Sequence, residues 1–342
     1  MHGTTFPEVP RIVAGKRETP TMPQLNRRAL GAAMLLSTLG VGLTSATMRA
    51  AATPAASPPP VVVRRRIGRF EVSFLLDGYI DFPYALFTGI APDVLEGAAR
   101  GLHIARPTGV RTGFTQWLIR DERHTVLVDA GPAGTVSPIS GRLPQALAAL
   151  GVRPDAVGAV VATHLHVDHI AGLVAGGRRV FPNAEVFADR RDVAHFTDPA
   201  KAAAAPDLLK SSFQASSDLV RLYPRLERID GARTILPGIT TFDLAGHTPG
   251  QIGVRIEDGG ESLLLVADML FHPGLHPAHP GIGILFEQDR AAADASRTRF
   301  FDQAASEGAL LAATHMPYPG VGRIVRAGSG LAWQPADFDY AA

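Results

Sequence analysis

The stretch Thr163-His164-Leu165-His166-Val167-Asp168-His169 puts three imidazoles and a carboxylate almost side by side. An apolar run, Val157 to Ala162 (VGAVVA), leads straight into it and reads as a buried strand. At an extended strand end, residues two apart point the same way, so His164 and His166 can converge on one cation. Asp168 and His169 follow a change of chain direction and can face a second cation. Zinc takes about four nitrogen and oxygen ligands, so donors packed this closely cannot all serve one ion. Two metals are the natural reading, and further ligands must then arrive from elsewhere.

Three candidates occur, each at the end of an apolar strand. His247 lies in Ala245-Gly246-His247-Thr248-Pro249-Gly250, where the glycines let backbone pass close to a metal and Thr248-Pro249 makes a turn. Asp268 follows Leu263 to Ala267 (LLLVA), with no evident salt partner, and His315 follows Leu310 to Thr314. Taken singly, each reads as a hydrogen-bonded structural residue; the first cluster's need for partners is what raises them. Cysteine is absent, so thiolate zinc sites and disulfides are excluded and any metal must rest on imidazole and carboxylate.

Outward from the cluster, short runs alternate. Phe70 to Leu76, Thr115 to Ile119 and Thr125 to Val128 read as strands, and Leu143 to Leu150 as a helix that Gly151 ends. Ala184 to Ala188 reads as a strand before a charged helix through Arg190 to Phe196. Ile239 to Leu244, Gly253 to Ile256 and Ser262 to Val266 form a β-rich stretch, and a helix from Ala291 to Ser306 precedes a strand at Ala309 to Ala313. Strands in two clusters, each with helices alongside, favour two sheets packed face to face with helices outside. The 342 residues, 46% of them hydrophobic, suffice for one sizeable core, and no repeat of fixed period interrupts it. Lys and Arg (33) balance Asp and Glu (32), which leaves no electrostatic footprint for nucleic acid.

The start of the chain reads differently. Asn26-Arg27-Arg28 precedes an Ala/Leu/Gly-rich run from Ala29 to Leu43, too short for a membrane span, with small residues near Thr44-Ser45-Ala46. Residues 1–49 are expected to be an export signal of the twin-arginine type, with Met22 as an alternative start. A Pro/Ala-rich linker is expected over 50–65, and the catalytic domain over 66–342. The expected location is periplasmic or secreted, with no stable membrane association of the mature chain.

These residues, the cluster at 163–169, Gly246 to Gly250, Asp268 and His315, resemble the metallo-β-lactamase superfamily from about Gly68 to Phe338. The segment Leu311 to Gly322 looks closest to its methyl parathion hydrolase branch, which includes lactonase-like relatives. The resemblance implies an α+β fold, an αββα four-layer sandwich with two central mixed sheets. It implies two Zn2+, one on His164, His166 and His247, the other on Asp168, His169 and His315, with Asp268 bridging and Asp168 and Asp268 catalytic. The implied function is a dinuclear zinc hydrolase that cleaves organophosphate triesters, lactones or activated esters with a hydroxide held between the metals. Its partner is a small molecule, and a homodimer is left open.

Departures narrow the choice. The common class B β-lactamases use a Cys ligand, which this chain lacks, and flavodiiron oxidoreductases place Glu where His166 stands. Many acyl-homoserine lactonases carry a Tyr three residues after the bridging Asp; here Phe271 stands there and cannot donate a proton. The pocket is expected to include Phe196, Phe213, Phe271 and Val136, and the His-rich segment 272–280 to be a surface loop. Two alternatives stay open: a thioesterase of the glyoxalase II kind, and a non-catalytic metal-binding protein on the same scaffold.

Overall fold

Alternation of side chains along the strands builds two sheets with apolar faces on both sides. The computed structural model describes residues 60–339; the expected export signal and residues 50–59 of the expected linker lie outside them. The first sheet comprises β1 (Val61–Ile67), β2 (Phe70–Pro83), β3 (Gly109–Arg120), β4 (Thr125–Val128), β5 (Ala159–Val161), β6 (Glu185–Asp189) and β7 (Leu226–Ile229), side by side in chain order. The second comprises β8 (Thr234–Leu236), β9 (Ile239–Asp243), β10 (Ile252–Asp258), β11 (Glu261–Leu265), β12 (Leu311–Ala312), β13 (Val321–Ala327) and β14 (Gly330–Pro335), again in chain order. Both are mixed: β4, β5, β6 and β7 run parallel, as do β11 and β12, and the other pairs are antiparallel.

Successive residues choose opposite layers. Val126 and Val128 join Phe74, Trp117, Ile252, Val254, Leu263 and Leu265 between the sheets. Leu127, between those valines, faces outward with Leu75 and Leu118 against α2 (Leu143–Ala149), α4 (Arg190–Phe196) and α6 (Asp207–Leu222). On the far side Leu264 and Leu311 pack on Phe300, Phe301 and Ala304 of α7 (Arg290–Glu307). The order helix, sheet, sheet, helix is the expected αββα sandwich. No helix among the described residues is long and apolar enough to cross a membrane.

Two expectations shift. The domain begins before residue 66: Val61 to Arg65 already pair with Leu76 to Val72 in an antiparallel ladder that runs on to Ile67 and Phe70. The segment 272–280 is no surface loop. Leu275 and His276 are fully buried and His272 nearly so, packed with Phe82, Phe87, Leu95 and Phe271 beneath the helix Pro92–Gly101, α1. Arg297 of α7 anchors the adjoining backbone: its guanidinium donates to the Met269 carbonyl at 3.1 Å and to the Pro280 carbonyl at 3.0 Å, and pairs with the buried Glu287 carboxylate.

Candidate metal centre and pocket

The site is assembled where β4, β5, β9, β11 and β12 end. His164 and His166 leave β5, and the one-turn helix Val167–Ile170 (α3) turns Asp168 and His169 inward. The loop after β9 brings His247, and β11 and β12 deliver Asp268 and His315. Gly246 sits at φ +144°, and a Cβ there would lie 2.6 Å from the Ala293 Cα, so glycine is required for that approach. Asp129 (φ 59°) and Ala267 (φ 45°), the first after β4 and the second beside Asp268, hold left-handed backbone that costs such residues about 1–3 kcal/mol each. Strain of that kind persists where surrounding structure fixes it; Ala267 adjoins the candidate ligand Asp268, and Asp129 contacts His169 Nδ1.

All seven candidate ligands come together. His164 Nε2 lies 3.1 Å from His166 Nδ1, which lies 3.0 Å from His247 Nε2. His315 Nε2 lies 3.4 Å from Asp168 Oδ2, and His169 Nε2 lies 3.7 Å from the same oxygen. Asp268 stands between the sets: Oδ2 is 3.3 Å from His247 Nε2 and 3.1 Å from His315 Nε2, and Oδ1 is 3.2 Å from His169 Nε2. In each of the groups His164/His166/His247, His164/His169/Asp268 and Asp168/His169/His315 the donor atoms lie within 4.8 Å of one another. Only Asp168 keeps an appreciable exposed fraction, 17% of its side chain.

The far nitrogens are held from behind. Asp129, fully buried, receives hydrogen bonds from the Thr163 amide and hydroxyl (both 2.8 Å) and contacts His169 Nδ1 at 2.8 Å. His315 Nδ1 donates to the Gly113 carbonyl at 2.9 Å. Such backing fixes which nitrogen points inward. Three imidazole nitrogens about 3 Å apart cannot satisfy one another with the protons of neutral rings, and His169 Nε2 and Asp268 Oδ1 are buried without a hydrogen-bond partner. Converging lone pairs of this nitrogen and oxygen type fit divalent metal.

The electrostatics divide the cluster. Burial keeps His164 and His247 well below the ordinary imidazole range, and His166 down at about 3. Burial also works against charge on His169 and His315, yet Asp268 and Asp168 outweigh it and raise both. Burial would raise Asp268, but His315, His169 and His164 draw it well below the usual carboxylate range. The three-histidine end is therefore neutral and lone-pair rich, while the other carries the carboxylate charge.

A cavity of about 320 Å³ opens over the cluster, walled by Ile80, Phe82, Leu86, Leu208, Phe271 and Phe286. Val136 and Phe271 line it, and among the described residues no Lys or Arg does. Phe196 and Phe213 do not line it. They are buried against each other at 5.2 Å in the core beneath α4 and α6, and Phe196 supports the edge of the His166 ring at 5.5 Å. Sequence reasoning missed Phe82, Phe286 and Asp129. For Asp129 the signal was present, since it closes the apolar run TVLV as Asp268 closes LLLVA.

Comparison with known proteins agrees with this geometry. Residues 115–315 match the family model of the metallo-beta-lactamase superfamily. Similar solved structures include hydrolase AbOPH, in the beta lactamase superfamily, at 26% identity and a TM-score of 0.76, covering 81% of this chain and 98% of that one. AidC, a dizinc quorum-quenching lactonase solved with a product, matches at 25% identity and a TM-score of 0.75, covering 82% and 99%. Among curated proteins, a hydroxyacylglutathione hydrolase of Aeromonas salmonicida (strain A449) is 40% identical over 76 residues, 22% of this chain. The chain spans only 26% of that relative's length.

Proposed function

The chain belongs to the metallo-beta-lactamase superfamily, and from that premise we propose that it is a dinuclear metal hydrolase, with zinc as the metal, acting on neutral, apolar ester-like substrates. Lactones, activated esters and aryl phosphotriesters are the classes in view. The observation that carries the reading is the pairing of two ligand sets, joined by Asp268, with a largely apolar cavity that no Lys or Arg lines among the described residues. His164, His166 and His247 would hold one ion, Asp168, His169 and His315 the other, and Asp268 both. Bound divalent metal supplies Lewis acidity at the scissile group and a water acidic enough to be deprotonated near neutral pH.

The chain's own residues do the rest. Ile80, Phe82, Leu86 and Phe286 bind the apolar part of the substrate and exclude water from the reacting end. Asp168, the most exposed of the seven, and Asp268, between the sets, are the carboxylates placed to take and return a proton. Phe271, stacked on His315 with ring centroids 4.8 Å apart, offers no proton to a leaving oxygen. That favours substrates whose leaving group departs unprotonated. A glutathione thioester brings carboxylates, and among the described residues the cavity walls carry no Lys or Arg to receive them, so the thioesterase reading is the weaker one.

Elemental analysis and a panel of aryl phosphotriester, acyl-homoserine lactone, β-lactam and glutathione thioester test the proposal, with His166→Ala as control. Two ions per chain and turnover of a neutral ester or lactone are expected. Fewer than two ions, or undiminished turnover in His166→Ala, overturns it. Export by the twin-arginine route is a separate proposal, resting on residues 1–49, and a leader fusion that stays cytoplasmic would refute it.

A further inference from the structure

Asp192 lies in the first turn of α4, fully buried, and its hydrogen bonds among the described residues go to Leu165, Thr248 and Gly250 rather than to a candidate ligand side chain. Its carboxylate instead collects hydrogen bonds from both ligand-bearing loops. Oδ2 accepts from the Leu165 amide at 3.0 Å, between His164 and His166, and from the Thr248 hydroxyl at 2.8 Å, next to His247. Oδ1 accepts from the Gly250 amide at 2.6 Å. The 164–166 loop belongs to the first sheet's half of the chain and the 247–250 loop to the second. Gly250 sits so close that a Cβ would meet Asp189 Oδ1 at 2.7 Å and the Asp192 amide at 2.8 Å.

The two oxygens of one carboxyl group accept all three donors at once. Asn would turn one acceptor into a donor, and Ala would strand two buried amides and a hydroxyl. We propose that Asp192 is the positioning residue that sets the His164–His166 loop against the His247 loop, and so holds the three-histidine end of the site in register for one of the two metals. The inference rests on the dinuclear reading above. It adds that the two ion sites depend unequally on α4: the Asp168/His169/His315 set has its own supports in Asp129 and Gly113.

Zinc-loaded wild type, Asp192→Ala, Asp192→Asn and Leu219→Ala are equilibrated against a graded chelator series, with metal per chain and the melting temperature of the stripped protein both measured. Leu219, fully buried in α6, serves as a control for general destabilisation. His247→Ala and His315→Ala mark the profiles of a chain missing one ligand of either set. Asp192→Ala is expected to release one ion at chelator concentrations tenfold to a hundredfold below wild type, the usual range for a residue that orients metal ligands. It should keep the second ion and match the His247→Ala profile. Asp192→Asn should fall between, and Leu219→Ala should melt earlier with the wild-type metal profile.

A wild-type profile in Asp192→Ala overturns the inference, as does one matching His315→Ala or parallel loss of both ions tracking the melting temperature. If Asp192→Ala does not fold, Asp192→Asn and Thr248→Val decide: wild-type profiles in both overturn the inference. A wild-type chain that takes up fewer than two ions overturns the dinuclear reading first, and this inference with it.

Discussion

Phe286 lines the cavity in which the proposed reaction would take place. Its ring lies 5.9 Å from Phe82 and 6.4 Å from His166, so a substrate entering the cavity meets an aromatic corner beside the three-histidine end. Removing one ring from such a corner forfeits about 1 kcal/mol of contact. Phe286→Ala is expected to raise KM for an aryl ester about fivefold to tenfold with kcat little changed, because that contact is present before and during reaction. Steady-state kinetics check it; a fall in kcat at constant KM would refute it. Asp129 acts from behind. Asp129→Asn puts an amide where Thr163 and His169 both need an acceptor, and chelator competition should show metal affinity about 10- to 100-fold weaker.

At the scale of elements, the segment 272–289 brings Phe286 to the cavity wall and holds buried groups of its own. Burial pushes His272 down to about 4, and lowers His276 and His279 as well. Unfolded, each imidazole titrates near 6.5, so between roughly pH 6.5 and 4 the unfolded chain binds more protons than the folded one. The stability is fully present above about pH 6.5 and is lost as pH falls toward 4, by up to about 1.4 kcal/mol per pH unit for His272. His272→Asn keeps an acceptor for the Gly274 amide, 3.1 Å away, and removes the titration. Urea unfolding at pH 7, 6 and 5 should show a shallower pH dependence in that variant; an unchanged slope would contradict the account.

For the whole molecule, the seven candidate ligands join its two halves. His164, His166, Asp168 and His169 follow the first sheet's β5, while His247, Asp268 and His315 follow strands of the second. Metal bound there would act as a crosslink that the unfolded chain lacks. Stripping the protein with chelator should lower its unfolding midpoint, and returning zinc at 100 times its dissociation constant should restore about 2.7 kcal/mol per site. A midpoint indifferent to zinc, read by calorimetry, would count against a site shared by the halves.

Local pattern made much of this readable before any coordinates. The ligand types, their place after apolar strands and the two clusters of strands in chain order are properties of neighbouring residues, and periodicity reports on neighbours. Helix α6 buries Ser212 and Ser216 beside Leu209, Phe213 and Leu219, and a buried serine carries no apolar signal in the sequence. Those serines approach the ligand loop instead: Ser212 Oγ accepts the Val167 amide at 3.0 Å. The same helix turns Phe213 into the core, so a ring expected in the pocket supports it from beneath. Pocket walls drawn from residues 80–86, 136, 208 and 271–286, and the bonds from Asp192 to two loops, depend on contacts far apart in the chain. The sequence by itself determined which donors stand at strand ends; only the tertiary structure decided what surrounds them, because enclosure is set by packing between distant segments rather than by local spacing.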